Sequence, residues 1–161
     1  MFAWRTGQCV HWYHVTDTYR GQPIEDAAII DLLDTLPSNK TSGRLGALPL
    51  VLGMPVVITK NFDVMGGVVN GSKGVLHKVH YCVGDYGKKY LTSCVVELPE
   101  LTTDPLPNLP AGLVAVLPNK VEMKSLRHPN SGRICTLCRH QVPLDYYCGC
   151  FQGCFKLLFL L

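Results

Sequence analysis

A chain of 161 residues, 47% hydrophobic and 17% charged, is long enough for one domain and too apolar for wholesale disorder. Its net charge of +3 is too small to argue for nucleic-acid binding by itself. No run of about 20 apolar residues occurs, so no membrane-spanning helix and no membrane partner are expected. The opening Met1-Phe2-Ala3-Trp4-Arg5 turns polar too early for a secretory leader, and the eight cysteines are expected to stay reduced in a nuclear or cytoplasmic setting. Charge is unevenly placed: residues 112–161 hold six Lys/Arg (Lys120, Lys124, Arg127, Arg133, Arg139, Lys156) against Glu122 and Asp145.

Residues 1–20 are rich in aromatics and histidine. Alternation through Val10, Trp12, His14 and Thr16 predicts a short strand, with its aromatics packed in a core rather than stacked on bases beside Arg5 and Arg20. Pro23 opens the clearest helix, over 23–36. Glu25 and Asp26 complement its positive end, Ala28, Ile29, Leu32, Leu33 and Leu36 form its apolar stripe, and Pro37 ends it. A polar loop, 38–43, follows.

The stretch Leu48–Gly74, LPLVLGMPVVITKNFDVMGGVVNGSKG, organises the rest. Val51–Thr59 is rich in β-formers, Lys60-Asn61-Phe62-Asp63 is a polar corner, Gly66-Gly67 is a break, and Asn70-Gly71 is a strong turn signal. On pattern alone this is an irregular hairpin. Past Gly74 the period becomes two. Val75, His77, Val79 and Tyr81 share one face opposite Leu76, Lys78 and His80. A turn at 84–87 leads to a strand over Lys89–Leu98 aligning Tyr90, Thr92, Cys94 and Val96, making an antiparallel meander. Pro99, Pro105, Pro107 and Pro110 make 99–110 a loop. Strands are expected at 113–117, at 121–126 with Val121 and Met123 inward, and at 134–142 after a turn at 128–132.

Leu48, Leu50, Gly53, Met54, Pro55, Val56, Ile58, Asn61 and Asp63, followed by Val69, Asn70, Gly71, Ser72 and Gly74, match a run that resembles the C-terminal region of PIF-type DNA helicases, most closely the helicase half of Helitron transposon proteins. Arg139-His140-Gln141-Val142-Pro143-Leu144 is similar to a second segment of that family. The resemblance covers roughly residues 1–145 and implies a mainly β, α+β fold with one amphipathic helix. In this picture 1–47 belong to the second, RecA-like motor domain, 48–145 form a small bent β-barrel inserted in it, and 146–161 are a divergent tail. It further implies weak, sequence-independent contact with single-stranded DNA at Lys60, Asn61, Asn70, Gly71, Ser72 and Lys73. Arg139 and Gln141 would dock the barrel on the motor domain. ATP and Mg²⁺ would serve a full-length parent.

No G-x-x-x-x-G-K-[ST] phosphate loop, acidic metal-binding motif or family "Q-G-x-T" continuation is found here. The tail instead reads DYYCGCFQGCFKLLFLL. The chain is therefore expected to be a truncated or degenerate piece of such a helicase, lacking its N-terminal motor domain, inactive alone and holding no cofactor. The rival reading is a zinc-stabilised interaction module on Cys135, Cys138, Cys148 and Cys150. Cys135 and Cys138 fall within a predicted strand, where no knuckle turn would present them, and no zinc is expected.

Overall fold

Period-two stretches become strands on both sides of the helical segment. In the computed structural model, which describes residues 2–36, 40–41, 43–99, 101 and 109–147, they form two sheets. In chain order the elements are α1 (Phe2–Thr6), β1 (His11–His14), β2 (Thr16–Tyr19), β3 (Gln22–Pro23), α2 (Ala27–Thr35), β4 (Ala47–Leu50), β5 (Pro55–Ile58), β6 (Lys73–Val83), β7 (Lys89–Glu97), β8 (Leu113–Val116), β9 (Asn119–Arg127), β10 (Ile134–Gln141) and β11 (Leu144–Tyr146).

The larger sheet runs β11-β5-β6-β7-β1-β4. One edge of β7 is covered by β6, and the other is shared between β8 and a single parallel pairing, His14 with Tyr90, to β1. The smaller sheet runs β3-β2-β10-β9. The chain passes directly from one sheet to the other between β1 and β2 at Val15, between β8 and β9 at Leu117-Pro118, and between β10 and β11 at Val142-Pro143, and by way of α2 between β3 and β4. Two of the direct crossings contain proline, which cannot donate to a ladder and so suits the place where a strand changes sheets. Strands from the first 47 residues lie in both sheets.

The expected meander is present as β6-β7-β8. The expected barrel is a curled, half-barrel sheet with two open ends. Its bend has a local cause: β6 slips register against β7 between Leu76 and Lys78 and again between His80 and Tyr81, and such bulges increase strand twist. They also break the simple two-face reading of β6. Leu76 is fully buried, Val79 packs on the core, and Val75 and Tyr81 are exposed. Gly74 packs tightly against the end of β7: a Cβ there would sit 2.3 Å from the Glu97 carbonyl oxygen.

The main core gathers Leu48, Leu50, Met54, Val56, Ile58, Leu76, Cys94, Val96, Val114, Val116 and Val142. A second core lies between α2 and the smaller sheet, from Ile29 and Leu33 to Met123, Leu126, Cys135 and Leu137. The predicted stripe of α2 is therefore its packing face. The helix begins later than predicted, at Ala27, because Pro23 pairs with Thr18 in β3 and Asp26 is the cap, accepting from the Ala28 and Ile29 N–H groups at 2.9 and 3.4 Å. Leu36 is extended, as a residue preceding proline favours.

Strand β1 alternates as expected, but the buried residues are Tyr13 within it and Val15 just after it. Trp4 and Trp12, expected in a core, are exposed. Helix α1 was not foreseen in the sequence. Most of the proline-rich segment, 100 and 102–108, lies outside the described residues, as does the tail from 148 onward. Among the described residues no helix is long and apolar enough to cross a membrane.

Candidate nucleic-acid interface

The matched stretch folds as one closed loop on the end of the β5-β6 ladder. The Ile58 N–H donates to the Ser72 carbonyl at 2.9 Å and its carbonyl accepts from the Gly71 N–H at 2.8 Å, which joins the two ends. Gly71 sits at φ +96°, a conformation only glycine adopts cheaply, so its place in the motif is a backbone requirement. Inside the loop Asp63 and Val68 form a bridge, and the Asp63 carboxylate accepts from the Gly66 N–H three residues on at 2.9 Å. Asn61 Oδ1 accepts from the Asn70 N–H at 2.7 Å. Ser72 Oγ accepts from the Val69 N–H at 3.0 Å and donates to the Gly67 carbonyl at 3.2 Å. Buried Val68 pins the loop to the core.

The six expected contact positions are thus brought together, with different tasks. Asn61, Gly71 and Ser72 build the loop. Lys60 and Lys73 are exposed at its rim, as is Asn70. Lys73 Nζ lies 3.0 Å from the Tyr147 hydroxyl and 4.3 Å from its ring centroid, and Tyr147 is tied back by its N–H to the Pro55 carbonyl at 3.1 Å. Such an exposed cation–π contact is worth about 0.5–1 kcal/mol, which a phosphate could displace. At the loop's outer face Phe62, Val64 and Met65 are exposed. Tyr147 was not singled out in the sequence because it falls where the matched pattern gives way to the tail.

Arg139 and Gln141 are buried and engaged within this chain. The Arg139 guanidinium, only 2% exposed, grips Asp17 with two bonds of 2.9 and 2.8 Å and donates to the Arg44 carbonyl at 3.1 Å. Gln141 Nε2 donates to the Leu45 carbonyl at 3.0 Å. The Arg44 side chain continues the seam to Thr59 and Asn119 at 3.2 and 3.1 Å. Burial lowers the pKa of Arg44 and raises that of Asp145, each offset in part by the other's charge.

Cys135 and Cys138 lie in β10, as expected. Cys135 packs in the second core with its thiol toward the Leu126 carbonyl, and Cys138 pairs with Thr18 and Glu122 outside that cluster. Cys148 and Cys150 lie outside the described residues. Among the described residues no three His, Cys, Asp or Glu side chains gather as metal ligands. Cys94, in the main core, has its thiol pKa pushed up to about 12 by burial, which makes it a poor nucleophile.

A nucleotide phosphate does not fit the start of α2. The first amides of α2 are already taken by the Asp26 carboxylate, and Glu25 adds a second negative charge beside them.

No family model matches the chain, and neither does any curated protein. Among solved structures it is similar to the Pif1 helicase from Candida albicans, at 21% identity and a TM-score of 0.43, over 85% of this chain and 28% of that one. It is also similar to the Pif1 of Bacteroides sp. in complex with ADP-AlF4, at 14% identity and a TM-score of 0.42, over 86% of this chain and 24% of that one. The unliganded form of the latter gives 13% and 0.40 over the same shares. The chain thus spans about a quarter of the helicase chains it matches.

Proposed function

We propose that this chain is the strand-contacting β region of a PIF-type, Helitron-like DNA helicase, and that its own contribution is weak, sequence-independent contact with single-stranded DNA. The observation that carries the reading is the loop between Ile58 and Lys73. The residues that match the helicase run close it through their own hydrogen bonds, and the closed loop leaves Lys60 and Lys73 exposed at its two ends. Backbone neutralisation by a few cations gives affinity without base reading. ATP and Mg²⁺ belong to motor elements whose sequence motifs are not found in these residues, so unwinding is a property of a larger assembly that includes an N-terminal motor domain. Arg139 and Gln141 serve docking on such a domain indirectly, by fixing the Arg44-Leu45 segment between the sheets.

Fluorescence anisotropy of labelled oligo-dT across a salt series tests this. Affinity is expected to fall linearly in log salt, with a slope near −0.7 per phosphate contacted. Replacing Lys60 and Lys73 by alanine should flatten that slope by about one to two units without creating sequence preference. Binding that ignores salt, or a double variant that binds like the parent, would reduce the loop to a structural turn.

A further inference from the structure

At the far end of β6 from the loop, the structure holds a second feature that the matched motif does not include. Strand β1 and the turn between β6 and β7 enclose an open cleft of about 320 Å³, lined by His11, Trp12, His14, Tyr86, Lys88 and Lys89 among others. Trp12 is 44% exposed, and the Tyr86 ring stands wholly in solvent. Tyr86 holds φ +57°, a left-handed conformation that costs a non-glycine residue about 1–3 kcal/mol. A large ring held in water on a strained backbone gives no return in packing, and this points outward to a ligand. Of the cations lining the cleft, Lys89 is positioned by ring contacts: its Nζ lies 5.1 Å from the Tyr81 ring centroid and 5.9 Å from that of Tyr13. The His14 ring lies 6.0 Å from that of Tyr90. The carboxylate on the turn is Asp85, against two lysines.

We infer that this cleft is a second contact for single-stranded nucleic acid, in which bases stack on Trp12 and Tyr86 while Lys88 and Lys89 face the phosphates. Aromatic faces interleaved with cations are what sequence-tolerant single-strand binding requires, because every base has a stacking face and every linkage a charge. The connecting strand suits the same ligand: β6 carries Lys73, His77, Lys78 and His80 and no acidic residue, with Glu97 of β7 opposite Val75 near its start. Its ten residue steps span about 30 Å at roughly 3.3 Å each, so a long strand would reach both ends and a short one only one. The inference deepens the proposed single-strand contact and can fail separately from it.

Tryptophan emission provides the test. Trp4→Phe, at an exposed site on α1, leaves Trp12 as the sole tryptophan. Titrating this variant with oligo-dT of about four and about sixteen nucleotides, which bracket common single-strand site sizes, should quench Trp12 saturably with both. Adding Tyr86→Ala should weaken binding of the short oligonucleotide about tenfold. Tyr86→Gly relieves the backbone strain and still removes the ring, so it should bind as poorly while unfolding no more easily than the parent. Binding seen by anisotropy with unaltered Trp12 emission would overturn the cleft and leave the loop reading standing. No binding by either method would remove both. Equal quenching by polyglutamate at the same ionic strength would assign the cleft to acidic protein segments and overturn the nucleic-acid assignment.

Discussion

The main core and the seam beside it hold the molecule together by opposite chemistries. Between the strands of the larger sheet, Leu76, Val96, Val116 and Ile58 are fully buried and touch other aliphatic groups. A few residues away in β10, a guanidinium is buried almost as completely, and its bonds run to Asp17 of β2 and to the backbone of Arg44. An aliphatic core needs volume and tolerates swaps that conserve it. A buried ion pair needs both partners in one geometry, because desolvation has already cost each charge its water. The seam is therefore the less forgiving of the two, although its net contribution over an apolar replacement can be small.

Breaking the seam on one side should give the largest effect. Arg139→Ala leaves Asp17 charged and mostly buried, and is expected to cost about 3–5 kcal/mol, measured as a fall in the urea midpoint at unchanged slope. Arg139→Met with Asp17→Leu removes both charges and should recover most of that loss. A double variant as unstable as the single would show that the bonds to Arg44 and the fit of the guanidinium matter more than its charge.

The core has its own weak point at Gly74. An added Cβ would lie 2.3 Å from the Glu97 carbonyl oxygen and 2.7 Å from Val96 Cγ1, so backbone has to move. Gly74→Ala should cost about 1–3 kcal/mol, the usual range for overpacking, read by the same denaturation. Gly71→Ala, at positive φ with open space around it, is the control: strain without a clash.

These two regions also divide what could be read in the sequence. The stripe of α2, the strands from β6 to β10 and the Asn70-Gly71 turn follow from periodicity and turn chemistry, which are local. The outward side of β1 does not, since alternation pairs residues on a face without saying which face is buried. The bulges in β6 likewise leave no mark in a pattern of valines and histidines. Arg139 is the clearest case. An arginine in a strand reads as surface or docking, and its burial depends on Asp17, 122 positions away. Of the candidate site, the loop was legible as a motif. The Trp12–Tyr86 cleft was not, because it is assembled by the single pairing of His14 with Tyr90.

The smallest expected effect separates burial from polarity. Asp26 is polar and paired like Asp17 but exposed: its carboxylate caps α2 and accepts from His128 Nε2 at 2.9 Å. His128 Nδ1 accepts from the N–H groups of Asn130 and Ser131 at 3.2 and 3.3 Å, so the ring proton sits on Nε2, facing Asp26. The His128 bond, with the Ile29 and Ala28 N–H groups, holds the Asp26 pKa below the ordinary aspartate range against a partial opposing effect of desolvation. A depressed carboxylate pKa stabilises the fold above its unfolded value, and that contribution is lost as pH falls through the folded one. Asp26→Asn keeps an effective helix cap but turns one oxygen into a donor, which either faces the Nε2 proton or forces a tautomer that the turn amides oppose. The variant should therefore be slightly less stable than the parent at neutral pH, and the gap should close on acidification below the ordinary aspartate range. Urea midpoints of both proteins at about pH 7, 5 and 3 would show it. A gap constant across that range would mean the clasp contributes shape without charge, and that polar contacts in this fold matter only where, as at Arg139, they are buried.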